Sequence, residues 1–389
     1  MKGKINQKKG ISLIVLVITI IVMIILASAI ILSLQSSGII GRAQEAKASS
    51  DAATRKEAAS IKLAEYELAV QTGDIDPNEK SASEYVKEEL EKDGIETDDI
   101  AVTESGDIQV GLSEIAVKFV EAGVKVGDTV TGYDLSSNTT TSHTTDGKEN
   151  TAPNYTETDP TVQTVARGTE LAWKYMGTDE NGEALIVANS TGKLSTMKLS
   201  GKGGYLNGPA ALDTACAELY SSDMGSARSM DWEDVTRLLE YAGHQGTYYD
   251  VGYNEIKTDK ALTIGEIETK LGTKLGSRTT PDGSDLSNFK SDNVYLPKTS
   301  IDIKAGDREK SLVYQTTTYW LSSSCVDADF DSSYAYFDVR YVDRMSVDVY
   351  EMFYSLGVSD YGSYAVRPVV SLSSNVQMAY DGTTVMLSK

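Results

Sequence analysis

The run from Gly10 to Leu34 constrains this chain more than any other stretch. It reads Gly-Ile-Ser-Leu-Ile-Val-Leu-Val-Ile-Thr-Ile-Ile-Val-Met-Ile-Ile-Leu-Ala-Ser-Ala-Ile-Ile-Leu-Ser-Leu, with neither a charge nor a proline. As a helix rising about 1.5 Å per residue it would be roughly 36 Å long, enough to cross a hydrocarbon core of about 30 Å. Lys2, Lys4, Lys8 and Lys9 precede it, while the sequence beyond the short basic patch that follows turns increasingly acidic. That asymmetry holds the N-terminus in the cytoplasm and leaves the remainder outside, as a single-pass membrane protein with an extracellular C-terminal part. A secretory signal would have an apolar region of about 7–15 residues ending at an Ala-x-Ala-like site. Here Ala27-Ser28-Ala29 interrupts the run without a polar flank.

Helical patterning resumes after Gly38. Ala48, Ala52, Ala59, Leu63, Tyr66 and Val70 recur at spacings of three, four or seven, while Arg55, Lys56, Glu57, Lys62, Glu65 and Glu67 fall largely on other faces. This predicts an amphipathic helix with that apolar stripe buried, closing near Gly73. Ser81-Ala-Ser-Glu84 has the spacing of a capping box for a short helix through Tyr85, Val86 and Leu90. Asp99 to Thr103 and Asp107 to Val110, joined through Ser105-Gly106, read as a hairpin, with further strand-like alternation from Val124 to Val130.

From Leu135 to Thr161 the sequence is Ser, Thr, Asn, Asp and Pro with almost no aliphatic residue, which reads as an exposed linker with His143 solvated. Beyond it, Asn181-Gly182 stands between Trp173 to Met176 and Ala184 to Ala188, a strong hairpin signal. Pro209 suits the first turn of a helix burying Leu212, Cys216, Leu219 and Tyr220. Asp231 is placed to cap another, burying Trp232, Val235, Leu239 and Ala242. A further helix is expected around Ile264 to Leu271.

Charge and residue counts narrow the chemistry. The net charge is -21, and the leader lysines sit on the positive side of that sum, so nucleic acid is excluded as a general partner. Cys216 and Cys325 are the two cysteines; they can pair or remain buried thiols, and they are no disulfide framework in a chain of 389 residues. The two histidines, His143 and His244, exclude a multi-histidine zinc site. Hydrolysis would need Cys325 or a serine served by His244, and nothing in the spacing arranges that; neither a nucleophile elbow nor a phosphate loop stands out. The chain is expected to be no enzyme and to need no cofactor.

Two segments crowd together residues of recognition chemistry. Tyr334, Tyr336, Tyr341, Tyr350 and Tyr354 lie among Ser, Asp and Gly. Tyrosine offers large amphipathic contact area at low entropic cost, so these five are the candidate ligand contacts, the bland alternative being a β-rich edge with half-buried aromatics. Asp327, Asp329 and Asp331, with Asp338 at the twelfth position, invite a calcium loop, but Ser332 stands where such a loop needs glycine. No metal is expected there. Arg367, beside Pro368, is expected to be a structural ion-pair partner.

The junction Lys8-Lys9-Gly10-Ile11-Ser12-Leu13-Ile14 resembles the processing site of type IV prepilins and pseudopilins. The resemblance covers about the first 70 residues. It implies cleavage after Gly10 by a prepilin peptidase, N-methylation of Ile11, and a long stalk helix able to meet other pilin-like subunits. The fifth mature residue is Val15, where pilins usually carry glutamate, which argues against assembly as a major pilin, since a buried unpaired ammonium is costly. Tyr319-Trp-Leu-Ser-Ser-Ser-Cys325 and Tyr364-Ala-Val-Arg-Pro-Val-Val-Ser-Leu372 resemble signatures of an uncharacterised bacterial extracellular domain family. Its fold looks related to C-type lectins and the formylglycine-generating-enzyme group. No closely spaced cysteine pair lies near the C-terminus, so a scaffold is implied and not that chemistry.

The expected fold class is α+β. It comprises a prepilin-like leader over 1–10, a transmembrane helix over 11–34 and its amphipathic continuation over 35–73, together a pilin-like stalk. A small α+β unit over 74–134, a linker over 135–161 and a C-type-lectin-like domain over 162–389 follow. The expected function is surface display of an adhesin- or receptor-type domain for an extracellular protein or glycan. The alternative is a minor pilin or pseudopilin, structural in a pilus or a secretion machine.

Overall fold

The computed structural model describes residues 39–103, 105–145, 161–169, 171–189, 194–241, 248–249, 262–263, 290–291, 300–302, 312–314, 317–328, 335–343, 346–354 and 361–389. The apolar run, the Gly10-Ile11 junction and Val15 lie outside them, as do the helix expected at Ile264 and the segment Asp329 to Tyr334. Among the described residues no helix is long and apolar enough to cross a membrane. The chain is α+β and divides into two units, one of residues 1–97 with 108–110, the other of 98–107 with 111–389.

The described part of the smaller unit is mainly helical. Helix α1 spans Ile39–Thr72 and ends at Gly73, whose φ of 81° lets the chain turn out of the helix. Its buried stripe is shorter than the sequence suggests: Ala59, Leu63 and Tyr66 are covered, whereas Ala48 is exposed. The cover is α2, Ala82–Lys92, which buries Val86 and Leu90 and sets Tyr85 5.5 Å from the Tyr66 ring. A helix face is buried only where a second element reaches it, and α2 reaches only the last turns of α1. The capping box forms as expected: Glu84 N donates to Ser81 Oγ and Ser81 N donates to Glu84 Oε2.

The larger unit is built around two seven-stranded sheets, with two separate two-stranded pairs. Strand β1 (Ile100–Val102) comes first; β2 (Ile108–Val110) belongs to the smaller unit, and helix α3 (Glu114–Glu121), which buries Ile115, Ala116, Val117 and Phe119, returns the chain to the larger one. Next come β3 (Thr129–Thr131), β4 (Thr140–Thr145), β5 (Thr161–Ala166), β6 (Trp173–Thr178), β7 (Ala184–Ala188) and β8 (Ser195–Ser200). Helix α4 (Gly201–Tyr220), strand β9 (Gly225–Ser229) and helix α5 (Trp232–Tyr241) follow, then the short strands β10 (Tyr248–Tyr249), β11 (Leu262–Thr263), β12 (Lys290–Ser291) and β13 (Ser300–Asp302). The C-terminal run is β14 (Tyr319–Ala328), β15 (Ala335–Val342), β16 (Ser346–Tyr354), β17 (Tyr361–Val366), β18 (Pro368–Leu372), β19 (Gln377–Tyr380) and β20 (Thr384–Ser388).

The first sheet has the order β19-β20-β3-β6-β7-β18-β9 and the second β10-β13-β16-β15-β14-β17-β8, with β4–β5 and β11–β12 as the separate pairs. All pairs are antiparallel except β20 with β3 and β14 with β17. Strand β3, assigned from sequence to a separate small unit, is therefore internal to the first sheet, between β20 and β6. The β6–β7 hairpin forms at the expected turn. Asp179 Oδ1 accepts from the amides of Asn181 and Glu183, and Gly182 adopts φ 76° with Gly111 O where a Cβ would lie. Helix α4 begins at Gly201, two turns before the start that Pro209 suggests, because the glycine-rich turns ahead of the proline pack close to Leu199 and Met352. Its buried residues are the expected Leu212, Cys216, Leu219 and Tyr220. Cys216 is a free thiol, and burial pushes its pKa well up.

The linker expectation fails over 140–145. These residues form β4 and pair with β5 in register from Thr140↔Ala166 to Thr145↔Thr161. Composition misled here because this ribbon needs little apolar surface of its own; Val165 is buried, while Val162 is left 64% exposed. Polar side chains fasten it to its neighbours. The Gln163 amide donates to Lys198 O at 2.8 Å and accepts from Lys198 N at 2.9 Å, supplying both backbone groups of that β8 residue as a neighbouring strand would. Asn138 Nδ2 donates to Glu218 O, and Thr141 Oγ1 donates to the Glu218 carboxylate.

His143, expected in solvent, is 8% exposed, with Nε2 3.1 Å from Thr141 Oγ1 and 3.9 Å from Glu218 Oε2. Burial lowers its pKa, against an opposing pull from Glu218. A histidine depressed in the fold takes its proton first in the unfolded chain, near pH 6.5, so stability falls as pH drops below that value. We expect the melting temperature of the wild type to fall more than that of His143→Gln between pH 7.5 and 5.5. Equal slopes would show that the imidazole is not held neutral.

Candidate ligand-binding face

Alternation along four neighbouring strands of the second sheet brings an aromatic group to one face. Trp320 on β14 is the register partner of Tyr341 on β15, and Tyr341 in turn is that of Asp348 on β16. Side chains two apart on a strand share a face, so Tyr350 joins Asp348. In the parallel pair of β14 with β17, Trp320 lies opposite Val366, and Tyr364 joins from two residues earlier.

The geometry agrees with this register. Trp320 is fully buried, its Nε1 donating to Met197 O at 2.9 Å. Its ring centroid lies 4.5 Å from Tyr364, 5.7 Å from Tyr350 and 6.5 Å from Tyr341, the last two edge-on. The three tyrosines touch one another at 5.2 to 6.2 Å. Such tilted and edge-to-face contacts suit ring quadrupoles and hold each side chain in one orientation. Gly362, next along this face of β17, makes room for the indole: a Cβ there would lie 2.7 Å from Trp320 Cη2. The three phenols are half-buried, so the indole is the floor and the tyrosines are the surface offered to solvent.

Electrostatics distinguish one end of the face. The Tyr341 phenol is pushed up to about 12, by burial first and then by Asp348, Tyr364, Asp343 and Tyr350. It stays a neutral O–H donor throughout the physiological range. Asp343 closes the end of β15, its Oδ1 accepting from Ser346 N.

Of the five sequence candidates, Tyr341 and Tyr350 are brought together. Tyr336 and Tyr354 are register partners on β15 and β16, with side chains outside the described residues, and Tyr334 lies outside them altogether. The sequence reading missed Trp320 and Tyr364. Both stand inside the two quoted C-terminal motifs, and the available signal was an aromatic residue in each motif at a strand position. The partnership itself depends on a parallel register that no local pattern states.

The acidic segment whose pattern invited a calcium loop begins and ends in paired strands. Cys325↔Asp338 and Asp327↔Tyr336 are register pairs, so the two ends of the acidic segment fold as adjacent strands and Asp338 is fully buried. Asp329 and Asp331 lie outside the described residues, as does the Asp327 side chain. Among the described residues no group of three or more His, Cys, Asp or Glu could hold a metal ion. His244 and the Cys325 side chain are likewise outside the description.

The ion-pair role expected of Arg367 is corrected. The residue sits between β17 and β18, where the chain passes from the second sheet to the first, and is fully buried. Its guanidinium donates to carbonyl oxygens: Nε to Ala188 at 2.9 Å, Nη1 to Val313 at 3.1 Å and Nη2 to Leu312 at 2.5 Å. Nη1 also meets Tyr319 Oη at 2.9 Å, and the cation lies 4.9 Å from that ring's centre. Dipoles and a π face replace the carboxylate.

A second polar locality surrounds the N-terminus of α5. Asp231 caps the helix, accepting from Asp234 N at 2.8 Å, and Asp234, 1% exposed, is held by Arg228 and Arg237. Burial raises the Asp231 pKa, reinforced by Asp234 and opposed by Arg228. An open cleft of about 550 Å³ lies over this group, bounded by Asp179, Glu180 and Asn181 of the β6–β7 turn. The arginines are spent on Asp234, so the network holds the helix terminus in place.

No protein-family model matches the chain, and no curated protein or solved structure shows significant similarity to it.

Proposed function

We propose that this chain is a membrane-anchored cell-surface protein, prepilin-like at its N-terminus, displaying a C-type-lectin-like domain that recognises a ligand. The observation that carries the reading is the half-buried tyrosine surface of Tyr341, Tyr350 and Tyr364 resting on Trp320. Rigid aromatic contacts fixed by a strand register bind with little side-chain ordering, which is what a recognition surface needs. The uncharged run before α1 and the acidic remainder support display outside the membrane.

The test uses the full chain, purified in detergent and applied to arrays of glycans and extracellular proteins. Tyr341→Leu/Tyr350→Leu keeps apolar volume but removes the π faces. It is expected to lose at least about tenfold in signal while melting within a few degrees of wild type. Undiminished binding by that variant would refute the reading. The anchor is tested separately by sequencing the N-terminus of protein recovered from membranes. N-methylated Ile11 is expected, and an intact Met1 would leave an ordinary anchor without prepilin processing.

One observation favours the structural alternative of a minor pilin or pseudopilin. Ile61 and Leu68 on α1 are 55% and 61% exposed, two turns apart on a face that α2 leaves uncovered. A stalk packing against other subunits would cover them, and their replacement by serine would then impair incorporation while leaving ligand binding unchanged.

A further inference from the structure

The β4–β5 ribbon is held to the rest of the larger unit mainly by polar groups. Its strands pair so that Thr141, His143, Gln163 and Val165 share the inner face, and of these Val165 alone is aliphatic. The outer face, with Ser142, Val162 and Thr164, is exposed. Strand β4 lies along α4, and β5 lies along β8. The helix beneath is packed differently, since Leu212, Cys216, Leu219 and Tyr220 are all fully buried. Pulling that helix from the core returns a large apolar area to water. Lifting the ribbon returns one aliphatic side chain and lets its polar groups trade their partners for water at small net cost. The ribbon therefore stands at the low end of the opening free energies within this unit.

Its two legs are tied to each other and pinned at one end. Arg167 N donates to Thr139 O at 2.8 Å, and the Arg167 guanidinium reaches Ser136 O and Asn138 O. Below that staple, Gly168 N donates to Tyr220 Oη at 2.9 Å and Tyr133 Oη donates to Tyr220 O at 2.8 Å. Tyr220 is fully buried, its hydroxyl 2.6 Å from Ser195 Oγ, so the base of the ribbon is anchored in the core. Further out, the Gln163 amide holds both backbone groups of Lys198, and Thr141 and His143 stand against Glu218, whose side chain is 47% exposed. A stiff piece fixed at its base and latched by polar contacts along its length can swing as one body. Strand β8 is the last of the second sheet, so what the ribbon covers is a sheet edge. A bared edge is a template on which a strand of another chain can pair.

We propose that the β4–β5 ribbon is a hinged strap, latched by Gln163, that lifts off α4 and β8 as one piece while both sheets stay folded, baring the β8 edge. Closed, it keeps the backbone of Lys198 from pairing with any other strand. The device is independent of the tyrosine face.

The experiment measures thiol labelling of full-length Val165→Cys in detergent, with labelled positions located by peptide mass spectrometry and folding verified by thermal melts. Val165 is 1% exposed on the inner face of the ribbon, whereas Cys216, fully buried in α4, reports opening of the unit as a whole. The introduced thiol is expected to react at least about a hundredfold faster than Cys216, because a local opening needs less free energy than a global one. Adding Gln163→Ala is expected to speed it about tenfold more, the worth of two hydrogen bonds, and to leave the rate at Cys216 unchanged. Hydrogen exchange in the unaltered chain is a second measurement, free of any substitution. There the Lys198 amide, held by Gln163, is expected to exchange faster than that of Ala365, which donates to Thr318 O, away from β8. Equal labelling of the two thiols, or equal exchange of the two amides, would mean that the ribbon opens only with the whole unit and would overturn the inference. An acceleration by Gln163→Ala that extends to Cys216, or no acceleration at all, would overturn it too.

Discussion

Arg367→Leu is expected to destabilise the larger unit by about 3–5 kcal/mol, the sum of several stranded carbonyl acceptors partly offset by relaxation. The leucine fills part of the volume but leaves the carbonyls of Ala188, Val313 and Leu312 facing it without donors. Each such buried acceptor costs about 1–3 kcal/mol when stranded, so the chain will shift to rehydrate them. Arg367→Lys should rescue little, since one ammonium cannot reach carbonyls spread along two segments with the fixed fork of a guanidinium. Because Arg367 sits where the chain changes sheets, both sheets should lose protection from amide exchange together. A melting temperature within about 2 °C of wild type would show that the carbonyls find other partners and that the arginine is dispensable.

Trp320→Ala is the second large effect. A fully buried indole replaced by a methyl group costs about 3–5 kcal/mol through lost transfer energy and the cavity left behind. In a unit of this size that corresponds to a fall of roughly 5–15 °C in melting temperature. The loss also frees Tyr341, Tyr350 and Tyr364, which the indole holds at tilted and edge-on angles, so near-ultraviolet dichroism from those phenols should weaken even well below the melting point. Tyr350→Leu should cost clearly less, because that ring is half-buried. Equal costs at the two positions would mean that the indole is not the floor of the face.

Local signals in the sequence identified local structure. The Asn181-Gly182 turn, the Ser81 capping box and the stripe from Leu212 to Tyr220 each depend on residues within one or two turns of chain, and each is found where it was expected. Long-range pairing was hidden. Nothing around Thr129 states that it will lie beside Thr384, and nothing in the Ser/Thr-rich stretch states that Gln163 will satisfy Lys198 or that Glu218 will hold Thr141. Polar composition argues against a core, yet a ribbon that lies on an existing helix and sheet edge needs only side-chain hydrogen bonds to stay. The aromatic face was half visible for the same reason: Tyr341 and Tyr350 lie near each other in sequence, whereas Trp320 and Tyr364 reach each other only through a parallel register.

The parallel pairing of β20 with β3 has a consequence for how the protein is made. Val130 sits between Trp173 and Val385 in adjacent strands, so the first sheet lacks an internal neighbour until the last of these strands has left the ribosome. Contacts of such long sequence separation form slowly, and an unpaired strand edge invites association in the meantime. Synthesis therefore delivers a chain whose first sheet cannot be completed before β20 has emerged. Protection of the open edge of β3 until β20 arrives is the order of events this pairing demands.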